Sequence, residues 1–179
     1  MAQQKKVVAI GETGLDFFHD SKNFSNQKTI FIQHLDFAKE IGLPVILHAR
    51  NSRDEKNDVY EEILKILKTE NINQGVIHCF GGTVQQALAF LERGFFVGFT
   101  GNITFPKTQV LAEVIKALPL EAILIETDCP YLAPQSVRGQ RNLPIYVRYV
   151  AEKIAEIRGI SYNKIVEQTF NNAIKLFKL

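Results

Sequence analysis

The 179-residue sequence has no tryptophan, one methionine and two cysteines, Cys79 and Cys129. Two thiols, each at the end of an apolar run, exclude a framework of several disulfides and point to reduced cysteines in a cytoplasmic protein. Long hydrophobic runs are missing as well. The opening MAQQKKVVAIG is polar and basic, and the apolar run after it is too short for a signal peptide or a membrane span. The formal charge is only +2, so there is no broad electrostatic footprint for nucleic acid or membrane, and a charged partner has to be held by a local site. No glycine-rich phosphate loop is present: GFFVGFTGN has three glycines at the wrong spacing for a dinucleotide fingerprint and opens no helix. Without a low-complexity tract or an interdomain linker, the chain has the length of one well-buried domain.

Five short apolar runs have the character of strands buried on both faces: Val7 to Gly11, Val45 to Ala49, Gly75 to Cys79, Phe95 to Phe99 and Ile123 to Thr127. Helical patterns separate them. The first covers about Asn26 to Ile41, with Ile30, Leu35 and Ala38 inward and Gly42-Leu43-Pro44 as a stop. Asp58 with Glu61 reads as a capping box ahead of Ile63, Ile66 and Leu67, and Thr83 with Gln86 as another ahead of Ala87, Leu88 and Leu91, ending at Gly94. A fourth helix follows Pro106 and carries Val110, Leu111, Val114, Ile115 and Leu118. Two more close the chain, one from Pro144 to Gly159 and one after Ser161 with Ile165, Phe170, Ile174 and Phe177. Strand starts recur at spacings of 38, 30, 20 and 28 residues, as repeated βαβ units require. The fold class is therefore parallel α/β, either an open doubly wound sheet or a (β/α) barrel.

Four of the five runs finish in a residue able to bind metal: Glu12 in IGETG, His48 in VILHAR, His78 in VIHCFGG and Asp128 in IETDCPYL. Singly each has an ordinary explanation, a hydrogen-bonded core histidine or an acidic turn former. Together they do not, because burying ionisable groups at equivalent positions is costly unless they are paired or bind a cation. In a parallel barrel every carboxyl end opens on one face, so such residues converge. Two imidazoles and two carboxylates suit Zn²⁺ or Mn²⁺, and Mg²⁺ where water completes the shell.

Strand alternation points Cys79 and Cys129 away from their neighbours His78 and Asp128, toward the helices, so neither reads as a ligand. His19 and His34 read as incidental, and Asp16 either orders the Glu12 loop or forms a turn. Arg50, Arg53, Lys107, Arg138 and Arg141 are suited to phosphate oxygens, or are solvated surface cations. Phe17, Phe18, Phe80, Phe105 and Tyr131 fall on the same nominal face, where they would stack on bases or form a lid over the core.

The series GETGLDFF, LPVILHAR, GVIHCFGG and IETDCPYLAP followed by RGQRNLPIYV resembles, in this order and over nearly the whole chain, the TatD family of metal-dependent hydrolases. The resemblance implies a TIM-like barrel, a centre of one or two divalent ions (Mg, Mn or Zn), and hydrolysis of phosphodiesters, typically of DNA. It makes Glu12 a bridging carboxylate, His48 and His78 metal ligands, and Asp128 a ligand that also takes a proton from the attacking water. Gly81-Gly82 and the segment 138–142, with Arg138, Arg141 and Asn142, resemble substrate-contacting parts, beside Arg50. The family begins with a strand ending in His-x-His, which this sequence lacks. The expectation is thus a single domain over 1–179, five parallel strands short of a closed barrel, truncated at the amino end. Self-association or a complementing amino-terminal segment follows from exposed edges, and a noncatalytic or partner-complemented fragment is the alternative to a DNase-like enzyme.

Overall fold

The structure, a computed structural model, describes residues 4, 6–19, 23–52, 58–106 and 108–179. Arg53 and Lys107 lie outside the described residues. Five parallel strands, β1 (Ile10–Asp16), β2 (Val45–Arg50), β3 (Gly75–Ile77), β4 (Phe95–Phe99) and β5 (Ile123–Ile125), form one sheet whose spatial order is the order of the sequence. Helices α1 (Phe24–Ile41), α2 (Val59–Thr69), α3 (Val84–Glu92) and α4 (Gln109–Ala117) make the crossovers, and α5 (Val147–Arg158) and α6 (Tyr162–Phe177) follow β5. The strand order never reverses, which excludes a doubly wound sheet and leaves a sector of a TIM-like (β/α) barrel. Among the described residues no helix is long and apolar enough to cross a membrane.

The helix ends follow local chemistry. Thr83 and Gln86 form the reciprocal capping box that their spacing predicts. Asp58 caps α2 by accepting from the N–H groups of Tyr60 and Glu61, but its second carboxylate oxygen takes a bond from Gln86, which ties α2 to the α3 cap. Gly42 and Gly159 end α1 and α5 at φ 68° and 64°, where a side chain would be strained. Four expected core positions are instead exposed: Ile30, Leu88, Val110 and Phe170. In each helix the buried stripe is rotated away from them, onto Phe31, Phe90, Leu111 and Thr169 respectively.

The two faces of the sheet have different tasks. Val45, Leu47, Ile77, Phe95, Val97, Phe99 and Ile123 enter the large core under the helices. The opposite parity, Ile46, Val76, Phe96 and Leu124, makes a smaller cluster covered by Ala173, Leu176 and Phe177 of α6. His48, His78, Gly98 and Glu126 each come two residues after one of these four, so they share that face and stand nearer its carboxyl rim. Backbone bonds carry the ladder that far, from His78 N–H to the Leu47 carbonyl (2.9 Å) and from Glu126 N–H to the Phe99 carbonyl (3.0 Å).

The first strand departs from expectation. It begins at Ile10 and ends at Asp16, not Val7 to Gly11, and its register against β2 is interrupted between Ile10 and Thr13. Two residues of β1, Gly11 and Glu12, there oppose one of β2, a bulge that turns the Glu12 side chain out of strand alternation. At the other end of the sheet Asn172 of α6, fully inside, donates through Nδ2 to the carbonyls of Leu120 (2.8 Å) and Ile123 (2.7 Å). Asn172→Ala strands both acceptors, and urea unfolding is expected to show a loss of about 1–3 kcal/mol.

Candidate metal centre

The bulge carries Glu12 over the carboxyl ends of the strands, where the edge of β2 presents His48. His48 Nδ1 lies 2.8 Å from Glu12 Oε1, and His48 Nε2 lies 3.1 Å from Asp16 Oδ2. Gly14 keeps the two strands close enough for this: a Cβ there would fall 2.0 Å from the His48 carbonyl oxygen. The second imidazole is held in the same manner. His78 Nδ1 lies 2.9 Å from Glu126 Oε2, and His78 Nε2 lies 3.5 Å from Asp128 Oδ1. Glu126 also accepts the Cys79 N–H at 2.7 Å, which binds the β3 loop to the β5 loop. Gly98 of β4 leaves the space for that carboxylate.

Glu12, His48, His78 and Asp128 line one cavity of about 1020 Å³, together with Arg50 and Tyr131. The groups at its floor polarise one another. The hydrogen bond from His48 holds the Glu12 carboxyl below its usual range despite partial burial, and the charges of His78 and His48 add to it. His48 is raised in return, chiefly by its bond to Glu12. Burial opposes the charge on His78, but its bond to Glu126 and the neighbouring carboxylates outweigh this and push it up to about 9. At Asp16 burial is likewise overcome, by bonds from His19 and His48, so that it stays below the ordinary carboxylate range.

Among the described residues no three His, Cys, Asp or Glu side chains stand as a preformed cage for an ion. The donor set nevertheless fits a divalent cation. Four carboxylates face two imidazoles, so negative charge remains in excess even with both rings protonated, and every ring nitrogen is already aimed at an anionic oxygen.

The structure also moves several residues from their expected roles. Glu126 was not among the candidates; its signal was parity, since Glu126 and Asp128 in IETD share one side of an extended segment. Asp16 is a direct partner of His48, and His19, far from incidental, bonds Asp16 through Nδ1 at 2.7 Å and lines the cavity. His34 does stand apart, paired with Thr13 Oγ1 at 2.8 Å. Cys79 does not point to the helix layer: β3 ends at Ile77, Cys79 adopts φ 46°, and its Sγ meets Thr100 Oγ1 at 3.2 Å beside the cavity. Burial pushes its thiol up to about 12, whereas Cys129 is exposed. A thiol reagent at neutral pH should therefore modify Cys129 quickly and Cys79 much more slowly, as the time course of thiol titration would show.

Of the expected cations, Arg50 lines the cavity with its guanidinium 4.0 Å over the Phe18 ring. Arg138, over the Phe105 ring at 4.8 Å, and Arg141 are exposed on the outer loop and do not line the cavity. Asn142 is turned inward, 2% exposed, and gives its Nδ2 hydrogen to the Tyr131 carbonyl at 2.6 Å; the loop needs that amide to close, so it does not face the substrate side. Of the five expected aromatics, Phe17 and Phe80 belong to the core, and Tyr131 lines the cavity with its ring exposed.

Sequential parallel βα units with imidazoles and carboxylates gathered over their carboxyl ends define a class, the metal-dependent hydrolases built on a (β/α) barrel. Within it the chain belongs to the family described as TatD related DNase, which matches residues 1–178. It is 40% identical to the uncharacterized metal-dependent hydrolase YabD of Bacillus subtilis, over 100% of this chain and 68% of that protein. With the 3'-5' ssDNA/RNA exonuclease TatD of Pantoea ananatis it shares 36% identity, over 100% of this chain and 69% of the other. The crystal structure of YJJV, a TatD homolog from Escherichia coli, superposes with a TM-score of 0.88 at 35% identity, covering 98% of this chain and 65% of that one. The chain thus spans about two thirds of the length of these relatives.

Proposed function

We propose that the chain carries the chemistry of a metal-dependent phosphodiesterase acting on DNA. The observation that supports this most directly is the convergence of Glu12, His48, His78 and Asp128, from four separate βα units, on one cavity. In this reading these four residues would hold one or two divalent ions, Mg, Mn or Zn, with Glu12 acting from beside His48. The bound cation would supply Lewis-acid polarisation of a phosphoryl oxygen.

The chain's own residues do the rest. Asp128 has one oxygen toward His78 Nε2, and its other oxygen, Oδ2, takes the proton of the attacking water as the water oxygen bonds to phosphorus and the bond from phosphorus to the leaving sugar oxygen breaks. The same proton then passes to that leaving oxygen. Glu126 and Asp16 fix the orientation of His78 and His48 from behind. Arg50, kept in place by the Phe18 ring, offsets charge that builds on the phosphate, and Arg138 and Arg141 guide strand outside the cavity. The name of the Pantoea relative, a single-strand DNA and RNA exonuclease, supports nucleic acid as the substrate.

The test is cleavage of end-labelled single-stranded DNA by the purified chain with Mg²⁺, Mn²⁺ or Zn²⁺, alongside calorimetric titration of each metal. The expected result is metal-stimulated cleavage that a chelator abolishes. A folded chain that takes up no metal and cuts nothing overturns the proposal.

A further inference from the structure

The turn after Asp128 presents an aromatic ring to the cavity that the proposed hydrolysis does not use. Tyr131 is 71% exposed, yet the backbone that carries it is closely held. Its N–H donates to the Asp128 carbonyl at 2.7 Å. Its own carbonyl accepts Asn142 Nδ2 at 2.6 Å, and the Asn142 N–H closes on the Pro130 carbonyl at 3.1 Å. The next residue, Leu132, stands at φ 52°, and its carbonyl fits only because Gly101 has no side chain: a Cβ there would lie 2.4 Å from that oxygen. A buried amide and a glycine thus fix a turn whose product is a bare ring beside the proposed proton acceptor.

Other aromatics near this rim are already engaged. Phe17 and Phe80 are buried, Phe18 lies under Arg50, and Phe105 lies under Arg138. A phenol ring with two side-chain torsions on a fixed turn loses little freedom when something stacks on it. Arg50, suited to a phosphate, lines the same cavity, so the site pairs an anion contact with a flat apolar contact.

We infer that Tyr131 is a stacking platform for a nucleobase of the bound strand, placed beside the phosphate that reacts at Asp128. The inference rests on the phosphodiesterase reading and adds what the cavity recognises: a π-face, accepted from any base, and not a particular base edge. Sequence tolerance and dependence on the base are therefore expected together. An abasic nucleotide at that position forfeits the contact, whereas exchanging one base for another does not.

The test uses the intact chain and a single-stranded oligonucleotide carrying 2-aminopurine, with a chelator present so that nothing is cleaved. The parent chain and Tyr131→Phe should bind it with equal affinity and quench the fluorescent base. Tyr131→Ala should lose the quench and bind about 5- to 150-fold more weakly, the range that removal of one base-stacking aromatic produces. With an abasic nucleotide in place of the base, parent and Tyr131→Ala should bind alike. Circular dichroism of both variants should match the parent, since the exposed ring supports no core. Equal quench and affinity for parent and Tyr131→Ala overturn the inference, as does failure of the parent to bind the oligonucleotide. Metal-stimulated cleavage, assayed separately, distinguishes the two readings. Cleavage without any dependence on Tyr131 removes the stacking site alone, and Tyr131-dependent binding without cleavage removes the phosphodiesterase alone.

Discussion

Asp128→Asn is expected to lower metal-stimulated cleavage by a factor on the order of 10²–10⁴ while leaving the chain folded, because the substitution removes the proposed proton acceptor and keeps the shape of the side chain. The carboxylate is 35% exposed beside His78, so it is open to water and is not a member of the core. At saturating metal, so that the loss of a charged ligand does not itself empty the site, the fall should be in kcat, with KM for the oligonucleotide little changed, since the amide still fills the same space. His34→Gln, a histidine exchange remote from the cavity, should cleave at the parent rate. If Asp128→Asn retains full activity, the proton goes elsewhere and the role given to Asp128 is wrong.

Gly98→Ala should weaken metal binding by about 10- to 100-fold, the usual consequence of disturbing a group that orients a ligand. The added methyl would lie 2.4 Å from Glu126 Oε1 and 2.8 Å from its Cδ, so the carboxylate has to swing away. In doing so it releases His78 Nδ1 and the Cys79 N–H together. The strand itself has less reason to suffer, because the obstacle is a side-chain end and not backbone. Calorimetric titration of the metal should show the lost affinity against an unchanged far-ultraviolet spectrum. Combining Gly98→Ala with Glu126→Asp, one methylene shorter, should recover part of it. Unaltered affinity in Gly98→Ala would mean that Glu126 does not support the centre.

Much of this was legible in the sequence because parallel βα units translate chain order into spatial order. His48 and His78 each end an apolar run, and the structure places both on the face and rim that this position implies. The fold class followed from the spacing of the runs, and the sheet order then separated a barrel from a doubly wound sheet. What could not be read was local backbone departure from the period of two. The bulge at Gly11 and Glu12 hid the true extent of β1. The positive φ of Cys79 reversed its direction, because a strand pattern assumes a strand continues to the last apolar residue. Glu126 is not separable from Asp128 in the sequence, because an apolar run followed by two acids of one parity offers two ligands, and only the fold shows that Glu126 is the one bonded to His78 Nδ1. The outer helix positions, Ile30 and Phe170 among them, were misplaced because a helix with apolar residues on more than one side fits its period at several phases.

The order of the sheet has a meaning for inheritance as well as for shape. Each strand of the sheet borders only the strands before and after it in the chain, so a change confined to one βα unit leaves the register of the other pairings intact. Glu12, His48, His78 and Asp128 are each supplied by a different unit, which makes the centre an assembly of separable contributions.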